Sequence, residues 1–242
     1  MLRGLYSAAS ALQIASEQQE VISYNLANST MPGYRARGLV FESFDRVLGR
    51  IDASTGDIVG ARTVQTYHDF QPGSIQRTDD PYHIALGEPD RFFVMSGPDG
   101  PIYTRNGSFS RAANGQLVSQ GGYVLQGNDG PVTVPEDTIN FHIASDGSIT
   151  TDGQPAGNLK LVRFANLSQL KAVGPTLYSA PQSAGLENAT ARVLQGHREG
   201  SNVQPADAMV RMIIGSRYYD AAQRAIRTIS ESIQLQTRPN QT

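Results

Sequence analysis

A chain of 242 residues and 26.1 kDa is long enough to bury one large core or two modest ones without disulfide or metal staples. It contains no cysteine, which excludes disulfide frameworks, thiolate-bound zinc or iron–sulfur clusters and cysteine catalysis. A net charge of −2, with 17% charged residues and a mean hydropathy of −0.33, excludes bulk-charge binding to nucleic acid, and no apolar run approaches the roughly 20 residues of a spanning helix.

Met1-Leu2-Arg3 and the stretch Leu5 to Ala15 imitate a secretory leader, but Ser7, Ser10 and Gln13 interrupt it and no cleavage site follows, so it reads as mature sequence. Within it Leu5, Ala8, Leu12, Ala15, Gln19, Ile22 and Leu26 recur at alternating steps of three and four, the narrow seam of a coiled coil broken only by Gln19. A helix over residues 1 to 30 is expected, with Asn25 and Asn28 capping its last turn before Pro32-Gly33 redirects the chain. Residues 31 to 80 read as an extended connector, in which Val40 to Leu48 suits a helix or a strand and Asp52 to Ala61 an exposed loop.

Residues 81 to 203 read as β. Asp99-Gly100, Asn106-Gly107, Asn114-Gly115, Gly121-Gly122 and Asp129-Gly130 punctuate short runs such as Ile102-Tyr103-Thr104 and Tyr123-Val124-Leu125. Ile139, Phe141 and Ile143 then alternate with Asn140 and His142, and Leu159 to Phe164 supplies another apolar strand. Strands do not alternate with helices, so a parallel α/β sheet is excluded. From residue 204 to 242 the helical signal returns: Pro205 suits a first turn, and Ala208, Met212, Gly215, Tyr219, Ala222, Ile226, Ile229 and Ile233 repeat the seam. The expected fold is α+β: two long terminal helices forming a coiled-coil-like pair around a β-rich centre of short antiparallel strands. Large residues alternate along each seam with small ones, which lets two backbones approach closely.

Little in the chain suggests chemistry. The glycines follow Asn or Asp, which is turn usage, and no phosphate-cradling loop, GxSxG elbow, HExxH or calcium loop occurs. His83 with Asp79 and Asp80 is the one constellation that could hold a metal or exchange protons; a solvated Asp79-Asp80-Pro81 turn explains it more simply. His142 is expected exposed on a polar strand face. No catalytic, cofactor-binding or metal-binding residue is assigned. Only Lys160 and Lys171 among the 20 basic residues are lysines, and multidonor arginine is favoured at interfaces. Two long amphipathic ends enclosing a β body suggest a subunit that assembles.

Ser23-Tyr24-Asn25-Leu26-Ala27-Asn28-Ser29-Thr30-Met31-Pro32-Gly33-Tyr34 resembles the S-x-N-L-A-N-x-x-T-P-G-[YF] signature of flagellar axial proteins, the rod and hook subunits, with Met31 in place of the usual Thr. Tyr103-Thr104-Arg105-Asn106-Gly107-Ser108-Phe109 and the Gly115 to Leu125 stretch resemble the family's Y-T-R-x-G-x-F and G-x-L-V blocks, whereas Gly87 to Phe93 replaces a tighter G-x-G-F-F turn. Gln195-Gly196 with Glu199-Gly200-Ser201-Asn202-Val203 resembles the Q-G-x-x-E-x-S-N-V block, and Tyr218-Tyr219-Asp220 the helix after it. The short connector and the Glu199 to Val203 form look closer to the proximal than to the distal rod proteins; hook protein normally carries a further outer domain.

The resemblance implies export through the flagellar type III apparatus without a cleaved leader, and helical polymerisation into the periplasmic drive shaft that transmits torque. The implied partners are copies of itself, other rod subunits, the export apparatus and surrounding ring proteins, with no nucleic acid, small-molecule substrate, cofactor or membrane span. A seam that buries apolar area only against a partner makes assembly the expected folding step for the ends. The rival reading, a secreted enzyme or carbohydrate-binding domain of the cell wall, calls for paired carboxylates or an aromatic platform, and the chain has no tryptophan.

Overall fold

The computed structural model describes residues 2–43 and 61–237. It is α+β, with two long helices and a strand-rich central domain, and divides into two units.

The first unit holds residues 1–27, 37–68 and 204–242. Helix α1 spans Leu2–Ala27 and helix α2 spans Pro205–Thr237, with Pro205 at the first position, where its missing N–H costs nothing. The two lie against each other, and α1 also packs against an antiparallel pair of strands, Arg37–Ser43 and Ala61–His68. Tyr67 covers Gly38, where a Cβ would come within 2.4 Å of the ring. This pair corrects the expectation of one extended connector over 31–80: Arg37–Ser43 and Ala61–His68 satisfy their backbone groups on each other. Much of Val40 to Leu48 and nearly all of Asp52 to Ala61 fall outside the described residues.

The second unit holds residues 28–36 and 69–203. Its central strand, Arg91–Gly97, pairs antiparallel with Gly100–Thr104, Val124–Gly127 and Leu161–Phe164. That strand is buried on both faces, so alternate side chains feed two cores. Phe93 and Met95 join Ile84, Leu117, Leu125 and Ile149 on one side. Phe92 and Val94 join Tyr103, Val162, Phe164 and Tyr178 on the other. Asn114-Gly115, Gly121-Gly122 and Asp146-Gly147 form turns with positive φ at the glycine, as their sequence requires.

Asn106-Gly107 does something else. Gly107 accepts from the Ile84 N–H, and a Cβ there would lie 1.6 Å from the Ile84 carbonyl oxygen, so its role is close backbone approach. The strand expected from Ile139 begins instead at Phe141, leaving Ile139 exposed. Strands Ile75–Arg77 and Ile84–Leu86 pair with His197–Glu199 and Val193–Gln195, so the start and end of this unit close on each other.

Candidate assembly surfaces and a buried ionic cluster

Every described seam position of both helices is at least half-buried, as are Ile14, Val21 and Tyr24 beside the seam of α1. Ala15, Ala208 and Gly215 are buried; Ala8, Leu12, Ile22, Leu26, Met212, Tyr219, Ala222, Ile226 and Ile229 are half-buried. The side chains of Leu5 and Ile233 lie outside those described. Gly215, the one glycine in α2, faces the polar break in α1: a Cβ there would sit 2.7 Å from Gln19 Oε1 and 4.0 Å from Ile22 Cδ1. Gln19 Oε1 is itself buried without a hydrogen-bond partner, a cost that a bulkier residue opposite would compound.

Asn25 reaches beyond the end of α1. Its Nδ2 donates to the Arg37 carbonyl at 2.8 Å and its Oδ1 accepts from the Arg37 N–H at 2.8 Å, so one side chain pins the first strand residue through both backbone groups. The Arg37 guanidinium stacks 3.8 Å from the Tyr24 ring centroid and donates to its hydroxyl. The Asn28 carbonyl accepts from Met31 N–H, closing the turn that follows Ala27.

In the second unit the three motif blocks converge. Pro32 leads into Gly33, which has φ +68° and donates its N–H to the Glu199 carbonyl at 2.8 Å; a Cβ on Gly33 would lie 2.4 Å from Asn106 N. Tyr34 and Arg35 are wholly buried. Arg35 Nη2 donates to Glu199 Oε1 at 2.6 Å, and Arg105 donates through Nε at 2.8 Å and Nη2 at 2.5 Å to Glu199 Oε2. Gly73 N–H adds a bond to Oε1 at 3.1 Å. Arg105 also serves the carbonyls of Leu86, Glu88 and Arg91.

One carboxylate thus holds two buried guanidinium groups, leaving the cluster a net positive charge. Burial pushes the Arg105 guanidinium below its ordinary pKa, against the opposing pull of Glu199. Asn202 completes the arrangement: its Oδ1 accepts from Ala36 N–H and its Nδ2 donates to the carbonyls of Asp69 and Gln71. Ser201 Oγ accepts from Val203 N–H. Thr104 Oγ1 donates to the Thr176 carbonyl, and Tyr103 and Phe109 pack edge-on against Phe164 and Phe93. Sequence reasoning named Arg105, Glu199 and Asn202 as motif residues without a role and missed Arg35, whose only signal was a charge directly after the Gly33-Tyr34 turn.

Asp79, Asp80 and His83 are occupied locally. Asp79 takes φ +58° and pairs with Arg77, Asp80 accepts from Tyr82 N–H, and His83 Nδ1 meets Thr78 Oγ1 at 2.9 Å with Nε2 3.8 Å from Asp80. Among the described residues no group of three or more His, Asp or Glu is gathered as a metal site, and no helix is long and apolar enough to cross a membrane.

Paired terminal helices and a β body whose buried charges serve packing define a structural subunit. Residues 5–35 match the family described as flagella basal body rod protein, residues 88–151 the flagellar hook protein FlgE/F/G D1 domain, and residues 194–236 the flagellar basal body rod FlgEFG protein C-terminal region. The flagellar basal-body rod protein FlgG of Buchnera aphidicola subsp. Schizaphis graminum is 32% identical over 97% of this chain and 98% of that protein. FlgF of Salmonella typhimurium is 32% identical over 96% of each, and FlgG of Bacillus subtilis 28% over 97% of each. The chain belongs to the flagellar basal-body rod protein family, and its role is that of a structural subunit of the rod in the flagellar basal body.

Proposed function

We propose that the chain polymerises helically into the rod through α1 and α2, which act as a coiled-coil-like pair, and that the polymer transmits torque across the periplasm. The observation that carries this reading is the pairing of the two terminal helices along their small-residue seams in a chain similar to rod proteins over nearly its whole length. The subunit works with copies of itself and other rod subunits, is delivered by the flagellar export apparatus and is surrounded by ring proteins; it performs no catalysis. A proximal position in the shaft is supported by the short connector and the form of the Glu199 to Val203 block.

Negative-stain microscopy of concentrated purified protein tests the central claim. Filaments or stacked rings are expected; a protein that stays monomeric alone and with the other rod subunits overturns it. Replacing Asp79, Asp80 and His83 together with Ala should leave assembly unchanged, and a hydrolase or metal-dependent activity lost in that variant would overturn the non-enzymatic reading.

A further inference from the structure

Two hairpins of the second unit share one five-residue pattern, Gly97-Pro98-Asp99-Gly100-Pro101 and Gly127-Asn128-Asp129-Gly130-Pro131. In each, the two glycines pair across a two-residue loop, and the second takes a φ that favours glycine, +128° at Gly100 and +134° at Gly130. A Cβ on either would meet no atom within 4 Å, so packing inside the chain does not call for these glycines and the space beside them stays open. Both hairpins line a cleft of about 360 Å³ together with Val94 to Gly97 of the central strand, a volume ordinary for a small-ligand site.

Lys160 is the only charged residue in the lining, which contains no aromatic ring. The Lys160 N–H donates to the Gln126 carbonyl at 3.2 Å, and Gln126 Nε2 donates to the Val124 carbonyl at 3.3 Å. In contrast, the side chains of Lys160, Asn128 and Ser96 form no hydrogen bond or ion pair among the described residues. Asp99 and Asp129 stand exposed at the hairpin tips, likewise without a cation among the described residues.

An ammonium in the lining and two carboxylates on its hairpin tips suit a ligand that carries both charges. The two aspartates repel a dianion such as phosphate, and a flat base finds no ring to stack on. The wall glycines spend their backbone groups on each other, so a peptide cannot add there as a further strand, and its charged ends are what the cleft can recognise.

We propose that this cleft binds short peptides through their two free ends, the carboxylate at Lys160 with Asn128 and Ser96 beside it, and the ammonium at Asp99 and Asp129. All of these residues belong to the second unit, and the site goes beyond the rod-subunit reading without resting on it.

Saturation-transfer NMR on triglycine mixed with the full chain should give a signal that saturates in the millimolar range. Lys160→Met should weaken binding about tenfold or more, the loss of one charge-assisted contact, and Asp99→Asn combined with Asp129→Asn should weaken it severalfold. The melting temperature should not change in either variant, because these side chains hold nothing in the fold. Triglycine amide and N-acetyltriglycine should each bind more weakly than triglycine. Equal binding of N-acetyltriglycine would overturn recognition of both ends, and equal binding of inorganic phosphate would reduce the cleft to a general anion site. Undiminished binding to Lys160→Met would place the peptide elsewhere, and a triglycine signal that never saturates would refute the site outright; neither result touches assembly of the rod.

Discussion

Removing the Glu199 carboxylate should be among the most damaging single changes in the β body. Glu199→Ala leaves Arg35 and Arg105, both buried, facing each other without an anion and strips the Gly73 N–H of its acceptor. Breaking a buried charge cluster in this way costs about 3–5 kcal/mol, a large share of the 5–15 kcal/mol that typically holds a domain together. At roughly 2–4 °C per kcal/mol for a body of this size, the melting temperature should fall by about 6–20 °C. The two arginines are not equivalent. Arg105→Met also orphans the carbonyls of Leu86, Glu88 and Arg91, at about 1–3 kcal/mol per unpaired buried group. Arg35→Met, in contrast, leaves a neutral Glu199–Arg105 pair and removes two guanidinium nitrogens, Nε and Nη1, that have no partner in the fold. Urea unfolding followed by the near-ultraviolet signal of the tyrosines would rank the variants, since the chain has no tryptophan. A Glu199→Ala cost below about 1 kcal/mol, or an Arg35→Met cost exceeding that of Arg105→Met, would refute the account.

Gly215→Ala should be tolerated, because the atom in its way is the end of a flexible Gln19 side chain, whereas Gly215→Leu should separate α1 from α2 at a cost of about 1–3 kcal/mol, read as lost helix protection in amide exchange. Asn25→Ala should destabilise the Arg37–Ser43 strand by about 1–3 kcal/mol and accelerate exchange at Arg37 N–H, since one side chain satisfies both backbone groups of that residue. Burial raises the Tyr103 phenol above its ordinary pKa near 10; the folded state then holds that proton more tightly than the unfolded chain, so stability is full below about pH 10 and declines as pH climbs through the folded value. Tyr103→Phe should flatten that alkaline decline in thermal melts.

The phase of each helix seam was legible because a 3.5-residue apolar repeat admits few alternatives: Ala15, Ala208 and Gly215, all on the expected stripe, are among the most covered residues of their helices. Turn glycines were equally legible where φ is positive. The ionic cluster was not, because its partners stand 164 and 94 residues apart and no local pattern couples them. The bonds from Asn25 to the strand were hidden for a related reason. A helix-end asparagine suggests a cap by local logic, and nothing near it in sequence announces the residue twelve positions on that it holds through two bonds. The strand pair inside the expected connector was hidden because its two halves are separated by a long stretch with no hairpin signal, and the helix against which they pack supplies the burial that their sequence alone does not announce.

The span between Arg35 and Glu199 also sets a clock. Synthesis at 5–20 residues per second takes roughly eight to thirty seconds to lay down the 164 residues that separate them. Until then Arg35 has no anion, and the strands Ile75–Arg77 and Ile84–Leu86 lack the partners that arrive with Val193–Gln195 and His197–Glu199. A nascent chain arrested before residue 193 is therefore expected to be protease-sensitive throughout this body, and one whose residues up to 203 have cleared the ribosome to be resistant. Such a chain stays pliable until nearly its last fifth is being made, and any machinery that must thread it extended has that interval in which to engage it.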